Sequence, residues 1–335
     1  MELVKPRRLR VGDTIRIVAP ASSMDVLDKT AVHRGVENLS KLGFKVEVSP
    51  HANRRRGHSS GTPEERAADL MDAFTDNSVD GIIAVWGGWN SNDIIDLLDY
   101  SAIRRHPKVF VGYSDITVLN VVLLEKAGLV NFQGPALVTW THSHLLDWEV
   151  EDFRKATMTT AGPRTLEAAL TYIDDPYYWQ HPEKPLQEVK NPGWKTYRVG
   201  EAEGILIGGH LGTLLTLAGT DYWPNLGGRI LFVEEDEEGG PAGRVAREFR
   251  QLEQTGALGE ISGLMVGRIP AVAGLKEGDS LEMILDECLR GYDFPVVTGV
   301  DLGHTNPIAT IPVGVKAFLD TINRRLVYWE SGVQD

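Results

Sequence analysis

From Thr14 to about residue 136 the chain alternates short β-branched runs with longer amphipathic stretches, and few architectures accommodate that rhythm. Strands separated by helices run parallel, and a parallel sheet must be covered by helices, so the first half is predicted to be α/β. Strands are expected over 14–19, 44–48, 81–86 and 108–111, and helices over 29–42, 92–98 and 115–126. A further helix should start at Thr62-Pro63-Glu64-Glu65 and run to about 74. Its hydroxyl N-cap, its proline in the first turn and its glutamate three residues past the cap make a capping box. Gly43 and Gly128 are placed to stop two of these helices.

The rhythm lapses over 163–194, where proline, aspartate and aromatic residues crowd together (DDPYYWQHPEKP). After Tyr197 the texture changes to glycine-bounded strands at 204–207, 229–234, 263–268, 296–299 and 325–329, with one clear helix at 244–253. The expected organisation is an N-terminal α/β domain over 1–162, a linker and excursion loop over 163–196, and a smaller β-rich α/β domain over 197–335. A length of 335 residues favours two such domains over one.

Several function classes are excluded early. Acidic residues outnumber basic ones 47 to 34, a net charge of −13 that repels phosphate backbones and anionic lipid, so no nucleic-acid partner is expected. The single cysteine, Cys288, cannot form an internal disulfide and reads as a small buried hydrophobe in a reducing compartment. The basic stretch Lys5 to Arg10 precedes an apolar run too short for a signal peptide. No run of about eighteen apolar residues follows, so a cytoplasmic location without a membrane partner is expected. No metal-binding, phosphate-cradling or dinucleotide motif is present, and the expectation is neither metal nor cofactor.

Four stretches can carry chemistry. In Val109-Phe110-Val111-Gly112-Tyr113-Ser114-Asp115 a buried strand meets a helix with a serine at the junction. A tight turn there lifts the hydroxyl clear of the sheet and places the next N–H at a helix N-terminus. Ile116 stands where the nucleophile-elbow pattern has its second glycine, and a serine at that position also serves as a plain helix cap. His304, in a glycine-flanked turn after the apolar run Val296 to Leu302, is a candidate base, or a histidine satisfied within its loop. His51, His58, His142 and His144 lie in polar runs and read as solvated. Glu234 ends an apolar strand, while Glu235 to Glu238 read as a solvated acidic edge. Finally, Gly87-Gly88 follow a buried strand, where bare N–H groups can approach a ligand, or where an ordinary turn precedes a helix.

Together these pieces resemble the LD-carboxypeptidase family over almost the whole chain. The matching stretches are IRIVAPAS, GGWNSNDIIDLLDY, KVFVGYSDIT, EGILIGGHLGTLLTLAGTDYWP, RILFVEE and GVDLGHTNP, in the family's order. The resemblance implies a flavodoxin-like N-terminal domain with a parallel sheet, a swivelling β-rich C-terminal domain and a homodimer. It implies a serine peptidase with Ser114 as nucleophile, Glu234 as acid and His304 as base. The oxyanion donors would be the N–H groups of Gly88 and Asp115. Substrate contacts would come from Gly87, Trp89, Asn90, Trp179, Trp194 and His210, with the two loop tryptophans able to stack on a nucleobase.

Two branches of the family bear on the substrate, a small peptide or a peptidyl-nucleotide. One cuts murein tetrapeptides before the terminal D-alanine; the other, which confers microcin C immunity, cuts an aminoacyl-nucleotide conjugate. GGWNSN resembles the second. The chain departs from the family pattern at His210, where an asparagine is usual, and at Glu238, where the immunity branch has a lysine nearby. A non-catalytic ligand-binding protein, with Ser114 only capping a helix, is the alternative from another class.

Overall fold

A computed structural model describes residues 2–181, 183–237 and 242–335. The predicted alternation is realised as a six-stranded sheet in the order Ile311–Val313, Asn131–Gln133, Val109–Gly112, Gly81–Ala84, Thr14–Val18, Lys45–Val48. All neighbouring pairs are parallel except the first, which is antiparallel. The central strands Gly81–Ala84 and Val109–Gly112 are fully buried, as strands covered on both faces must be.

Local signals set the covering helices. Thr62 accepts from the Glu65 N–H, while the Glu65 carboxylate accepts from the Thr62 N–H, so helix Pro63–Thr75 starts on the predicted capping box. Helix Thr117–Ala127 ends on Gly128 in the left-handed conformation. The predicted helix over 92–98 is instead a 3₁₀ segment, Ser91–Leu97.

The second sheet has eight strands in the order Arg164–Leu166, Arg325–Tyr328, Lys316–Asp320, Glu201–His210, Ile230–Glu234, Gly263–Gly267, Val296–Val300, Lys195–Arg198. Its middle, from Glu201–His210 to Val296–Val300, is parallel and its flanks are antiparallel. Helix Gly243–Gln254 buries Val245, Phe249 and Leu252, and helix Leu281–Cys288 buries Cys288.

The two sheets are tied by exchanged chain. Strand Ile311–Val313 leaves the C-terminal half to pair with Asn131–Gln133. Arg164–Leu166, from the stretch that reads as linker, pairs with Arg325–Tyr328. The His210 N–H donates to Thr117 Oγ1 at 2.9 Å, bringing the end of the longest strand against the helix that follows Ser114. Carboxyl ends of strands from both sheets therefore face one crevice, the usual place for ligand sites in open α/β sheets. Among the described residues, no helix is long and apolar enough to cross a membrane.

Candidate active site

Ser114 sits directly beyond strand Val109–Gly112 and has φ +64°, a left-handed conformation rare for a residue with a side chain. Such strain costs about 1–3 kcal/mol and persists only where the surroundings impose it. The cap of the 3₁₀ turn Ser114–Ile116 is Tyr113, and no side chain caps it, so Ser114 does not serve as the helix cap. Its Oγ instead lies 3.1 Å from His304 Nε2.

His304 Nδ1 is in turn 2.7 Å from Glu234 Oε2, and the Glu234 side chain is fully buried. Gly303, at φ +96°, makes this approach possible: a Cβ there would come within 2.6 Å of Glu234 Oε2. Burial alone would lower the imidazole pKa, but the Glu234 charge and hydrogen bond, helped by Glu237 and Asp236, raise it from 6.5 to about 9.

The loop after strand Gly81–Ala84 is held against this serine by Asp115. Its Oδ2 accepts from the N–H groups of Asn90 at 2.9 Å and Ser91 at 2.8 Å, and its carbonyl accepts from Ser91 Oγ. Burial raises the Asp115 carboxyl above its ordinary pKa, and these donors oppose the shift. Gly87 is packed so closely that a Cβ would lie 2.6 Å from Ser114 Oγ and 3.0 Å from the Asp115 nitrogen. Backbone of the Gly87-Gly88 turn thus borders the hydroxyl and the first N–H of the 3₁₀ turn.

These groups open into a cleft of about 160 Å³ whose lining includes Ser114, His304, Gly87, Gly88, Trp89 and Trp179. Trp179 packs edge-on against Trp86, with ring centroids 5.1 Å apart. Trp86, Tyr113 and Tyr178 also line the cleft and were not read from sequence as site residues, and so do Asp236 and Glu237, which read there as part of a solvated acidic edge. Tyr113 adjoins Ser114 in the chain, and its ring lies 5.2 Å from that of His304.

Three expected substrate contacts lie elsewhere. Trp194 is 1% exposed, and its indole N–H donates to Asp301 Oδ2 at 3.1 Å, which makes it a core residue of the second sheet. Asn90 is buried, with its N–H spent on Asp115. His210 is buried behind the cleft, its ring 5.7 Å from that of His304, and its Nδ1 caps helix Leu211–Leu215 by accepting from the Thr213 N–H.

The acidic run also departs from its solvated reading. Glu235 and Asp236 are buried, because Arg244 on the following helix donates to both, at 2.9 and 2.6 Å. Glu238 lies outside the described residues. His142 is buried too, its ring 5.5 Å from that of Tyr178.

His210, Glu235 and Asp236 form a group with atoms close enough to share a cation. Their chemistry does not fit one. Accepting from Thr213 at Nδ1 places the imidazole proton on Nε2, which faces Asp236 Oδ2 at 3.3 Å, and Arg244 already balances the carboxylates.

Residues 15–134 match the model of the LD-carboxypeptidase N-terminal domain, and residues 203–319 that of the LD-carboxypeptidase C-terminal domain. The chain belongs to the LD-carboxypeptidase family. It is 33% identical over 331 residues to the microcin C7 self-immunity protein MccF of Escherichia coli, covering 96% of this chain and 95% of that one. Identity to a probable murein peptide carboxypeptidase of Bacillus subtilis (strain 168) is 32% over 336 residues, covering 99% and 96%. The solved structure of MccF in complex with aspartyl sulfamoyl adenosine superposes with a TM-score of 0.92 at 31% identity, covering 99% of this chain and all of that one. Membership in this family makes the chain a serine-type carboxypeptidase or hydrolase of two α/β domains.

Proposed function

We propose that this LD-carboxypeptidase-family protein hydrolyses an amide bond at the C-terminal end of an aminoacyl-nucleotide or peptide conjugate through Ser114, His304 and Glu234. The observation that carries the reading is the relay itself: Ser114 Oγ 3.1 Å from His304 Nε2, and His304 Nδ1 2.7 Å from Glu234. The neutral imidazole takes the Ser114 proton as Oγ bonds to the carbonyl carbon, and Glu234 holds the resulting imidazolium by its Nδ1–H. The carbonyl oxygen, now an anion, takes the N–H groups of Gly88 and Asp115. His304 then returns its proton to the leaving nitrogen as the C–N bond breaks, and water releases the acyl group by the same path.

Substrate choice rests on the walls. Trp86, Trp89 and Trp179 line the cleft, aromatic surfaces on which a nucleobase stacks, and the relative MccF binds aminoacyl-sulfamoyl nucleotides. Parallel assays on aspartyl sulfamoyl-adenosine and on an L,D-tetrapeptide, each with wild type and Ser114→Ala, test both steps. The reading expects turnover of the nucleotide conjugate that Ser114→Ala abolishes with folding intact. Turnover of the tetrapeptide alone moves the protein to murein processing, and unchanged activity in Ser114→Ala refutes the relay.

A further inference from the structure

Ser22 brings an unpartnered hydroxyl to the cleft. It lies a few residues beyond the carboxyl end of strand Thr14–Val18, is 8% exposed and lines the cleft with Gly87 and Gly88. The hydroxyls around it are engaged. Ser114 Oγ faces His304, and Tyr113 and Tyr178 turn theirs to Thr139. Ser23 Oγ, next in the chain, accepts from the Asp25 N–H and donates to the Ala52 carbonyl. Ser22 Oγ makes no hydrogen bond among the described residues. A nearly buried hydroxyl left unmatched is unfavourable unless a ligand answers it.

Its place relative to the reacting atoms follows from the Gly87-Gly88 peptide. The Ser22 N–H donates to the Gly87 carbonyl at 3.2 Å, and that peptide bond is trans. In a trans unit the N–H points opposite the carbonyl. The Gly88 N–H therefore faces away from Ser22, on the side where Gly87 abuts Ser114 Oγ and the Asp115 nitrogen. Ser22 Oγ packs against the other side, where a Cβ on Gly88 would stand 2.5 Å from it. The turn thus presents two faces about one residue, or ~3.8 Å, apart. One meets the scissile carbonyl, and the hydroxyl face meets what lies next along the substrate. Trp89, one of the aromatic walls proposed for the nucleobase, directly follows Gly88, which puts that hydroxyl face on the leaving-group side.

We propose that Ser22 is a substrate-contacting residue whose hydroxyl donates to an oxygen of the leaving group. The inference rests on the hydrolase reading for the substrate's place in the cleft and adds a residue to it. Both substrate classes supply such an oxygen close to the leaving nitrogen. In an aminoacyl-sulfamoyl nucleotide it is a sulfonyl oxygen, and in a peptide cut before its last residue it is a carboxylate oxygen. A hydrogen bond of this kind to a charged acceptor is worth about tenfold or more in affinity.

Ser22→Ala removes the hydroxyl and keeps the N–H that holds Gly87. Binding of aspartyl sulfamoyl adenosine and of an L,D-tetrapeptide is measured by titration calorimetry, to Ser114→Ala and to the double variant Ser22→Ala/Ser114→Ala. Whichever ligand binds Ser114→Ala should lose about tenfold in affinity when Ser22 is also changed, and its identity shows whether a sulfonyl or a carboxylate oxygen is held. Succinyl sulfamoyl adenosine, which lacks the α-amine and keeps the sulfonyl oxygens, should lose the same factor as the aspartyl compound. Fluorophosphonate labelling of Ser114 in Ser22→Ala tests the relay apart from the contact, because fluoride leaves without an oxygen for Ser22 to hold, and its rate should change less than about twofold. Undiminished affinity, binding of neither ligand, a loss that vanishes with the α-amine, or labelling slowed as much as binding overturns the contact. Failure of the wild type to label or to turn over either substrate refutes the hydrolase reading, while the binding comparison still decides Ser22.

Discussion

Replacing Glu234 with glutamine probes the relay at its least accessible point. The buried carboxylate and His304 meet at 2.7 Å, and that contact leads the effects that raise the imidazole from 6.5 to about 9. That rise corresponds to a preference for the charged imidazole of a few kcal/mol, on the order of 3. Because the folded-state value is raised, this stabilisation is fully present below pH 6.5 and is lost as the pH climbs through about 9. At pH 7 only a minority of molecules then hold the neutral imidazole that can accept the Ser114 proton.

Two measurements follow from that arithmetic. In the wild type, kcat/KM on the amide substrate should rise with pH, with a midpoint well above 6.5 and toward 9, and NMR titration of the His304 ring should give the same midpoint. In Glu234→Gln the midpoint should fall well below the wild-type value, because burial is then opposed only by the charges of Glu237 and Asp236. The limiting kcat should drop by about 10³- to 10⁴-fold as the ring loses the carboxylate charge that fixes its tautomer and holds the imidazolium. A Glu234→Gln enzyme whose pH profile and His304 titration match the wild type would refute the reasoning, whatever its rate.

Other outcomes test separate parts of the account. Gly87→Ala places a Cβ 2.6 Å from Ser114 Oγ and should cut kcat/KM by about 10²-fold or more, with little change in far-ultraviolet circular dichroism. Trp194→Phe removes a buried hydrogen bond to Asp301 and should destabilise by about 1–3 kcal/mol in urea, while KM stays within about twofold, as befits a core residue. Glu149 Oε1 accepts from the Ile308 N–H at 2.7 Å, and burial raises the carboxyl pKa from 4.5 to about 7. The folded state therefore holds its proton more tightly than the unfolded chain, and stability falls as the pH rises from 4.5 to 7. Glu149→Gln keeps a carbonyl acceptor, so its Tm relative to wild type should climb between pH 5 and 8. An unchanged difference across that range contradicts the assignment.

Sequence signals were strongest where local chemistry dictates geometry. The Thr62 to Glu65 capping box and the Gly128 stop need only neighbours in the chain. The turn at Ser114 was legible because a buried strand running straight into a helix leaves a residue no other route. Glu234 and His304 could be paired with it only through the family resemblance. Their meeting depends on register across the second sheet, in which His210 stands opposite Glu234.

What misled were residues whose surroundings come from far along the chain. Trp194 reads like Trp179, yet Asp301, more than a hundred residues away, draws its indole into the core. The acidic run looked solvated because Arg244, which neutralises Glu235 and Asp236, sits on the next helix. Strand Ile311–Val313 crosses to the first sheet, an exchange that no composition boundary marks.

The most direct test of the central claim is covalent. Incubating the protein with a fluorophosphonate and mapping the adduct by peptide mass spectrometry asks which hydroxyl His304 activates. Labelling of Ser114, lost in His304→Ala and slowed in Glu234→Gln, is the expected result. Labelling at another serine, or equal labelling of Ser114 without His304, would contradict the account.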